Sequence, residues 1–462
     1  MSWLAVFGAG PHGGRPRSGF SSSSSVVTIR GHMNAPTLIL ISVDAMEDVD
    51  EEYARTLPFF RRILDNPARA QIQAVYPTLT YPNHTAQITG CPPAVTGIFN
   101  NVRMQPGVGH PDWFWWYRFI QVPTLLDQAS AAGMKVATVE WPVTAGAPFD
   151  VVVPEIGNEG RTGGVEKTMR AACSPRGYEL FERHRHRIVE QPKRNHGAFA
   201  ASVAADVLRE DCPDLLLIHL VELDASRHRY GPRGPHIREA LRVIDSRLGT
   251  VLGALEETGE VARSNIVIVS DHGQLDVVQH TNLNSLLAQR GFLELDAAGH
   301  LASWDAYLHS SGLSGQLFVS ESIPALRRRK LEDLLVEIVE DPKYRIRKVW
   351  TAREARDAFG LDGPFSYVIE SDPGVIVGGA LDRRVVVRRT DSDFSGNLGN
   401  HGHHPGSGAQ PVFLATGPAF IPGADAGRHQ MTDEAPTLAH AMGLQLPEAR
   451  GSSMSALLRP GP

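Results

Sequence analysis

From Pro36 onward the chain alternates short apolar runs with amphipathic stretches. Thr37–Val43, Leu215–Leu220 and Ile266–Ser270 are too short for buried helices and rich in Leu, Ile and Val, which predicts buried strands. Arg69–Val75 alternates polar and apolar positions and predicts a more exposed strand. Between the second and third apolar runs, His236–Glu257 places Ala240, Leu241, Ile244, Leu248, Val251, Leu252 and Leu255 at three- and four-residue spacing, so one helical face is core. Pro123–Ala132 reads as a helix closed by Gly133, with Lys135–Glu140 as the strand after it and Pro411–Thr416 as a late strand. Strands alternating with helices predict an α/β fold whose mostly parallel sheet is covered on both sides.

The rhythm breaks between 285 and 395. There the chain reads as a hairpin near Leu301–Phe318, a charged helix at Ala325–Glu340, and short strands around Val375 and Val385–Val387. An inserted α+β lobe explains this, dividing the catalytic core into 33–284 and 396–462. The run Arg327–Lys330 lacks interleaved aromatics and reads as a solvated helix face. Residues 1–32, Gly- and Ser-rich, read as a disordered tail with Met33 as the natural beginning.

Composition narrows the function classes. A net charge of −6 with pI near 6.3 argues against a general nucleic-acid binder. There is no apolar run of roughly 18 residues to span a bilayer. Cys91, Cys173 and Cys212 are too few and scattered for a disulfide framework, which predicts a cytoplasmic location. The oligomeric state stays open.

The candidate chemistry gathers at element ends. Asp44 follows LILISV, Asp271 and His272 follow IVIVS, Asp224 and His228 follow LLLIHLVEL, and His401 lies in GNHGHHPGSG. In open α/β sheets, ligands bind beyond the carboxyl ends of strands, so residues distant in sequence share one rim. Carboxylates and imidazoles together suit zinc or a similar ion. Singly, each has an ordinary alternative: Asp224 and His228 as an exposed ion pair, Asp271 as a turn cap, Asp44 as a helix cap, His403 and His404 as polar loop residues. Thr80, where the turn YPTLTYPN enters a helix, is the candidate nucleophile; a hydroxyl needs a base or a metal to act as one at neutral pH.

In order and spacing, ISVDAM, PTLTYPNH, GIFNN, ELDASRHRYGP, VSDHG and GNHGHHP resemble the type I phosphodiesterase and nucleotide pyrophosphatase family of the alkaline phosphatase superfamily, over about Thr37 to Met454. The resemblance implies an alkaline-phosphatase-like αβα sandwich. It also implies two divalent metal ions, zinc or manganese: one held by Asp224, His228 and His401, the other by Asp44, Asp271, His272 and the Thr80 oxygen. Asn101 matches the family's asparagine on a phosphoryl oxygen, with a turn residue as its ordinary alternative, a role that Asn100 could equally fill. The backbone N–H next to Thr80 is a second expected donor to that oxygen. Tyr81 and the aromatics Trp113–Tyr117 are candidate stacking surfaces for a leaving group, with packing as the alternative for the tryptophans. Leu79 stands where many relatives have lysine. Cys91 begins CPPAV and lacks the arginine of the sulfatase CxPxR motif, which disfavours that branch.

The implied activity is hydrolysis of a small-molecule phosphodiester or nucleotide pyrophosphate through a covalent phosphothreonine. A phosphomonoesterase or phosphonate hydrolase would use the same two-metal site, but no arginine beside Thr80 is available for an extra phosphate charge. A silent scaffold is a third class, and the intact ligand set argues against it.

Overall fold

The computed structural model describes residues 36–156, 164–189 and 196–460. The expected tail, 1–32, lies outside them. Strands β1 (Leu38–Val43), β2 (Ala68–Gln73), β3 (Val136–Val139), β4 (Val151–Val153), β5 (Leu215–Leu220) and β6 (Asn265–Val269) join Val412–Thr416 and Asp425–Gln430 in one eight-stranded sheet. The order across it is Asp425–Gln430, β2, Val412–Thr416, β6, β1, β5, β3, β4. β1 pairs in parallel with both β5 and β6, and β3 in parallel with β4 and β5. Val412–Thr416 runs antiparallel to both its neighbours.

Period-two alternation divides β1 between two cores. Ile39, Ile41 and Val43 pack into one, with helix Pro235–Thr258 and helix His196–Asp206; Leu38 and Leu40 pack into the other, with helices Leu125–Ala131 and Glu434–Ala441. Both faces of the sheet are therefore covered, as the uniformly apolar strands require. Residues Ala240 to Leu255 face the core at the spacing read from the sequence.

Between 283 and 388 lies the second sheet, four antiparallel strands in the order Ala306–Ser310, Ser314–Val319, Tyr367–Ser371, Ile346–Thr351, with helices Leu283–Gln289 and Ala325–Glu340. This lobe has its own apolar cluster, to which Leu283 and Leu286 contribute. Phe318, Phe365 and Val368 nevertheless pack into the larger core, and the described residues form one compact unit. The hairpin is narrower than expected: it joins Ala306–Ser310 to Ser314–Val319, while Leu301–Trp304 pairs with Leu293–Leu295. Strand Val375–Gly378 pairs with Gln279–Asn282, ahead of the helix that opens the lobe. Arg327 is tied to Asp305 and the Gly291 carbonyl, so the basic run is partly engaged within the lobe. No helix among the described residues is long and apolar enough to cross a membrane.

Candidate metal centre and nucleophile

The rim beyond the carboxyl ends of the parallel strands collects every candidate ligand. Asp44 follows β1, Asp271 and His272 follow β6, and Asp224 and His228 lie one turn apart on helix Glu222–Tyr230, which follows β5. His401 comes from the loop just after the strand Gly399–Asn400. Thr80 is the first residue of helix Thr80–Thr89, a fully buried helix whose N-terminal amides favour an anion.

Two sets of ligand atoms converge, each lying within 4.8 Å of one another: Asp224, His228 and His401, and Asp44, Asp224 and His272. His272 Nε2 is the hub of the second. Around it lie Thr80 Oγ1 at 3.3 Å, Asp271 Oδ2 at 3.1 Å and Asp44 Oδ1 at 3.5 Å. In the first set, Asp224 Oδ1 is 3.3 Å from His228 Nε2 and 3.8 Å from His401 Nε2. The rings of His272 and His401 stack at 3.8 Å, joining the two sets, and Asp224 belongs to both.

Backbone carbonyls orient the imidazoles. His228 Nδ1 meets the Gly399 carbonyl at 2.9 Å and His401 Nδ1 the Thr78 carbonyl at 3.0 Å, which leaves both Nε2 lone pairs aimed into the site. Asp271 Oδ1 accepts from the Ala45 N–H at 3.1 Å. Burial pushes the Asp44 carboxyl well up, aided by Asp224 and Glu155; burial and then Asp44 do the same to Asp271. Burial holds His272 well below its usual range, with His401 and His228 adding to the shift, and lowers His401 to about 4. His272 and His401 are therefore neutral at pH 7 and free to act as ligands.

Asp44 Oδ1 and Asp271 Oδ2 are buried without a hydrogen-bond partner. A buried carboxylate left in that state costs several kcal/mol, about as much as a lost ion-pair partner. A divalent cation removes that cost, and the O/N donor set suits zinc or manganese. The residues present thus fit the two ions that the motifs imply.

Asn101 and Asn100 part company here. The Tyr81 N–H donates to Asn101 Oδ1 at 2.8 Å, which turns the Asn101 amide alongside the residue that follows Thr80. Asn100 Nδ2 instead binds Ser311 Oγ and Gln316 Oε1, both at 3.0 Å, and so fastens this loop to the lobe. The amide next to Thr80, expected as a second donor to a phosphoryl oxygen, is engaged with Asn101. Tyr81 departs from the expectation of a stacking surface: its ring is wholly buried with its edge on Trp113, 5.4 Å between centroids. Phe114 and Trp115 are core, and the Tyr117 hydroxyl binds Asp127 and Thr124, so within this stretch Trp113 and Trp116 alone keep partly exposed rings free of such ties. His403 is buried and its imidazole lowered to about 3, while His404 packs on Tyr76 and Phe359; neither joins the ligand sets.

Sequence reasoning missed the residues that support the ligands. His219 Nε2 lies 3.2 Å from Asp44 Oδ2, and an imidazole inside the run LLLIHL was the available signal. His84 lies between the Thr80 carbonyl and Ser42 Oγ, 2.8 Å from each. Glu47 and Gln274 carried no sequence signal.

Residues 38–367 match the family described as Type I phosphodiesterase / nucleotide pyrophosphatase. Ectonucleotide pyrophosphatase/phosphodiesterase family member 3 of Bos taurus is 24% identical over 254 residues, which cover 52% of this chain and 25% of that protein. Member 7 of Homo sapiens is 24% identical over 251 residues, covering 54% of this chain and 49% of its own. The matched segments thus span a quarter to a half of these relatives. Among solved structures, murine ectonucleotide pyrophosphatase / phosphodiesterase 5 superposes with a TM-score of 0.63 at 20% identity, over 90% of this chain and 97% of that one. An inactive threonine-to-alanine variant of the mouse protein, in complex with AMP, gives 0.64 at 20% identity over 92% and 100%. At that identity the likeness shows the fold.

Proposed function

The chain belongs to the type I phosphodiesterase / nucleotide pyrophosphatase family, and from that premise we propose that it hydrolyses phosphodiesters or nucleotide pyrophosphates with Thr80 as nucleophile. The observation that carries this reading is the position of Thr80 Oγ1, 3.3 Å from His272 Nε2, at a helix N-terminus beside two buried carboxyl oxygens that have no hydrogen-bond partner. Two divalent cations, one at Asp224, His228 and His401 and one at Asp44, Asp271, His272 and Thr80 with Asp224 also within reach of it, would supply positive charge that acidifies the hydroxyl and offsets charge on the phosphoryl group.

The chain's own groups divide the remaining work. Thr80 Oγ1 attacks phosphorus, the bond to the leaving alcohol or nucleotide breaks, and water then releases the phosphothreonine. Asn101, held by its carbonyl on the Tyr81 N–H, presents its amide donors to a non-bridging oxygen. The N-terminal end of helix Thr80–Thr89 turns the positive end of its dipole toward the anionic phosphoryl group. Trp113 offers its ring for stacking against a leaving group such as a nucleobase. That the mouse relative was solved with AMP supports a nucleotide substrate.

A panel on metal-loaded protein tests the reading, comparing an aryl nucleotide diester with an aryl monoester at equal leaving-group pKa. Preference for the diester by at least about tenfold, roughly 1.4 kcal/mol in transition-state binding, supports it; preference for the monoester transfers the site to phosphomonoesterase chemistry. We also propose a cytoplasmic location, on the scarcity of cysteine; cell fractionation checks it.

A further inference from the structure

We propose that Glu47, acting through Gln274, is a positioning residue that sets Asp224 for metal binding; the inference rests on the two-metal reading of the site. Glu47 lies three residues beyond Asp44, fully buried. Its Oε1 accepts the Gln274 N–H at 2.9 Å. The Gln274 side-chain amide in turn donates to Asp224 Oδ1 at 2.5 Å and to the Asp224 carbonyl at 3.3 Å. One buried carboxylate thus links the segment after β1, the segment after β6 and the helix that carries Asp224 and His228.

Arginine braces the same link from the other side. Arg227, fully buried on the helix of Asp224 and His228, donates to the Ala45 carbonyl at 3.1 Å and to Asp50, and lies 3.5 Å from Glu47 Oε2. Arg233 binds the same Glu47 oxygen. Two carboxylates and two guanidiniums balance to zero formal charge, so the cluster fixes position without adding a net charge to the neighbouring ligand site. A buried charge stays where its partners hold it, because separating them leaves charges desolvated and unpaired. Asp224 is common to both ligand sets, so an error in its placement reaches both ions.

The test uses the full chain, stripped with chelator and titrated with Mn2+ by calorimetry well below its melting temperature. Wild type binds two ions. Gln274→Leu, which removes the amide and keeps the bulk, weakens at least one ion by about 10- to 100-fold, and Glu47→Leu, which removes the acceptor of the Gln274 N–H, weakens the same ion. Because one residue acts through the other, the double variant loses less than the product of the two single losses. Melting of the metal-free proteins is the control: a residue needed only for folding lowers that temperature and leaves Mn2+ affinity of the folded protein alone. Affinities within about threefold of wild type in both variants, or losses that multiply, overturn the proposal. Wild type that binds fewer than two ions removes the parent reading instead, which keeps the two failures distinct.

Discussion

Thr80 Oγ1 and His272 Nε2, 192 residues apart in sequence, face each other at 3.3 Å in the buried site. If that hydroxyl is the nucleophile, Thr80→Ala keeps the fold and most of the metal, since the other ligands are carboxylates and imidazoles on separate elements. Activity on an aryl nucleotide diester falls by about three orders of magnitude or more. Thr80→Ser keeps part of it, because the hydroxyl survives while the methyl that restricts its rotamer is lost. A diester chiral at phosphorus gives the independent check: two in-line steps retain configuration, and inversion removes Thr80 from the mechanism.

Asp224 serves both ligand sets, whereas His228 serves one. Asp224→Ala therefore lowers bound metal further than His228→Ala does. Elemental analysis after loading with zinc or manganese is expected to give two equivalents for wild type and one for His228→Ala, with less than one for Asp224→Ala. Equal loss in the two variants speaks against a shared carboxylate.

Metal binding should strengthen with pH. The folded-state pKa values of Asp44 and Asp271 lie above their ordinary 3.8, so in metal-free protein their contribution to stability is full below 3.8 and is lost as pH rises through the raised values. His401, lowered from 6.5 to about 4, works the other way: its contribution is full above 6.5 and is lost as pH falls toward 4. A cation competes with protons for the two carboxyls and gains from an imidazole that is already neutral. The rise in melting temperature on adding Mn2+ is thus expected to grow from pH 5 to pH 8, with protons released on binding. A constant or shrinking rise contradicts the assignment.

The neighbouring asparagines are expected to differ in their effect on chemistry. Asn101→Ala lowers kcat/KM by about 10- to 1,000-fold, because the lost donor acts on the developing phosphoryl charge, and it also lowers the melting temperature, because the Tyr81 N–H loses its acceptor. Asn100→Ala costs about 1–3 kcal/mol of stability, since Ser311 and Gln316 lose their buried partner, and kcat/KM changes less. Steady-state kinetics beside thermal melts reads both.

Where the side-chain period matches the backbone period, the sequence was legible. The apolar runs at β1, β5 and β6 and the three- and four-residue spacing in helix Pro235–Thr258 report local burial, and burial on both faces implies a covered parallel sheet. The edge strand Asp425–Gln430 escaped because its residues are largely polar and exposed, leaving no hydrophobic signature. The candidate ligands were legible because metal chemistry demands particular side chains at strand ends. What neighbours those side chains was decided only by the tertiary structure. The sharing of Asp224, the burial of Tyr81, the bond from the Tyr81 N–H to Asn101 and the reach of Glu47 to Gln274 all depend on segments brought together by the sheet order. Hydrogen bonds between such segments leave no periodic trace along the chain, so no reading of local pattern could supply them.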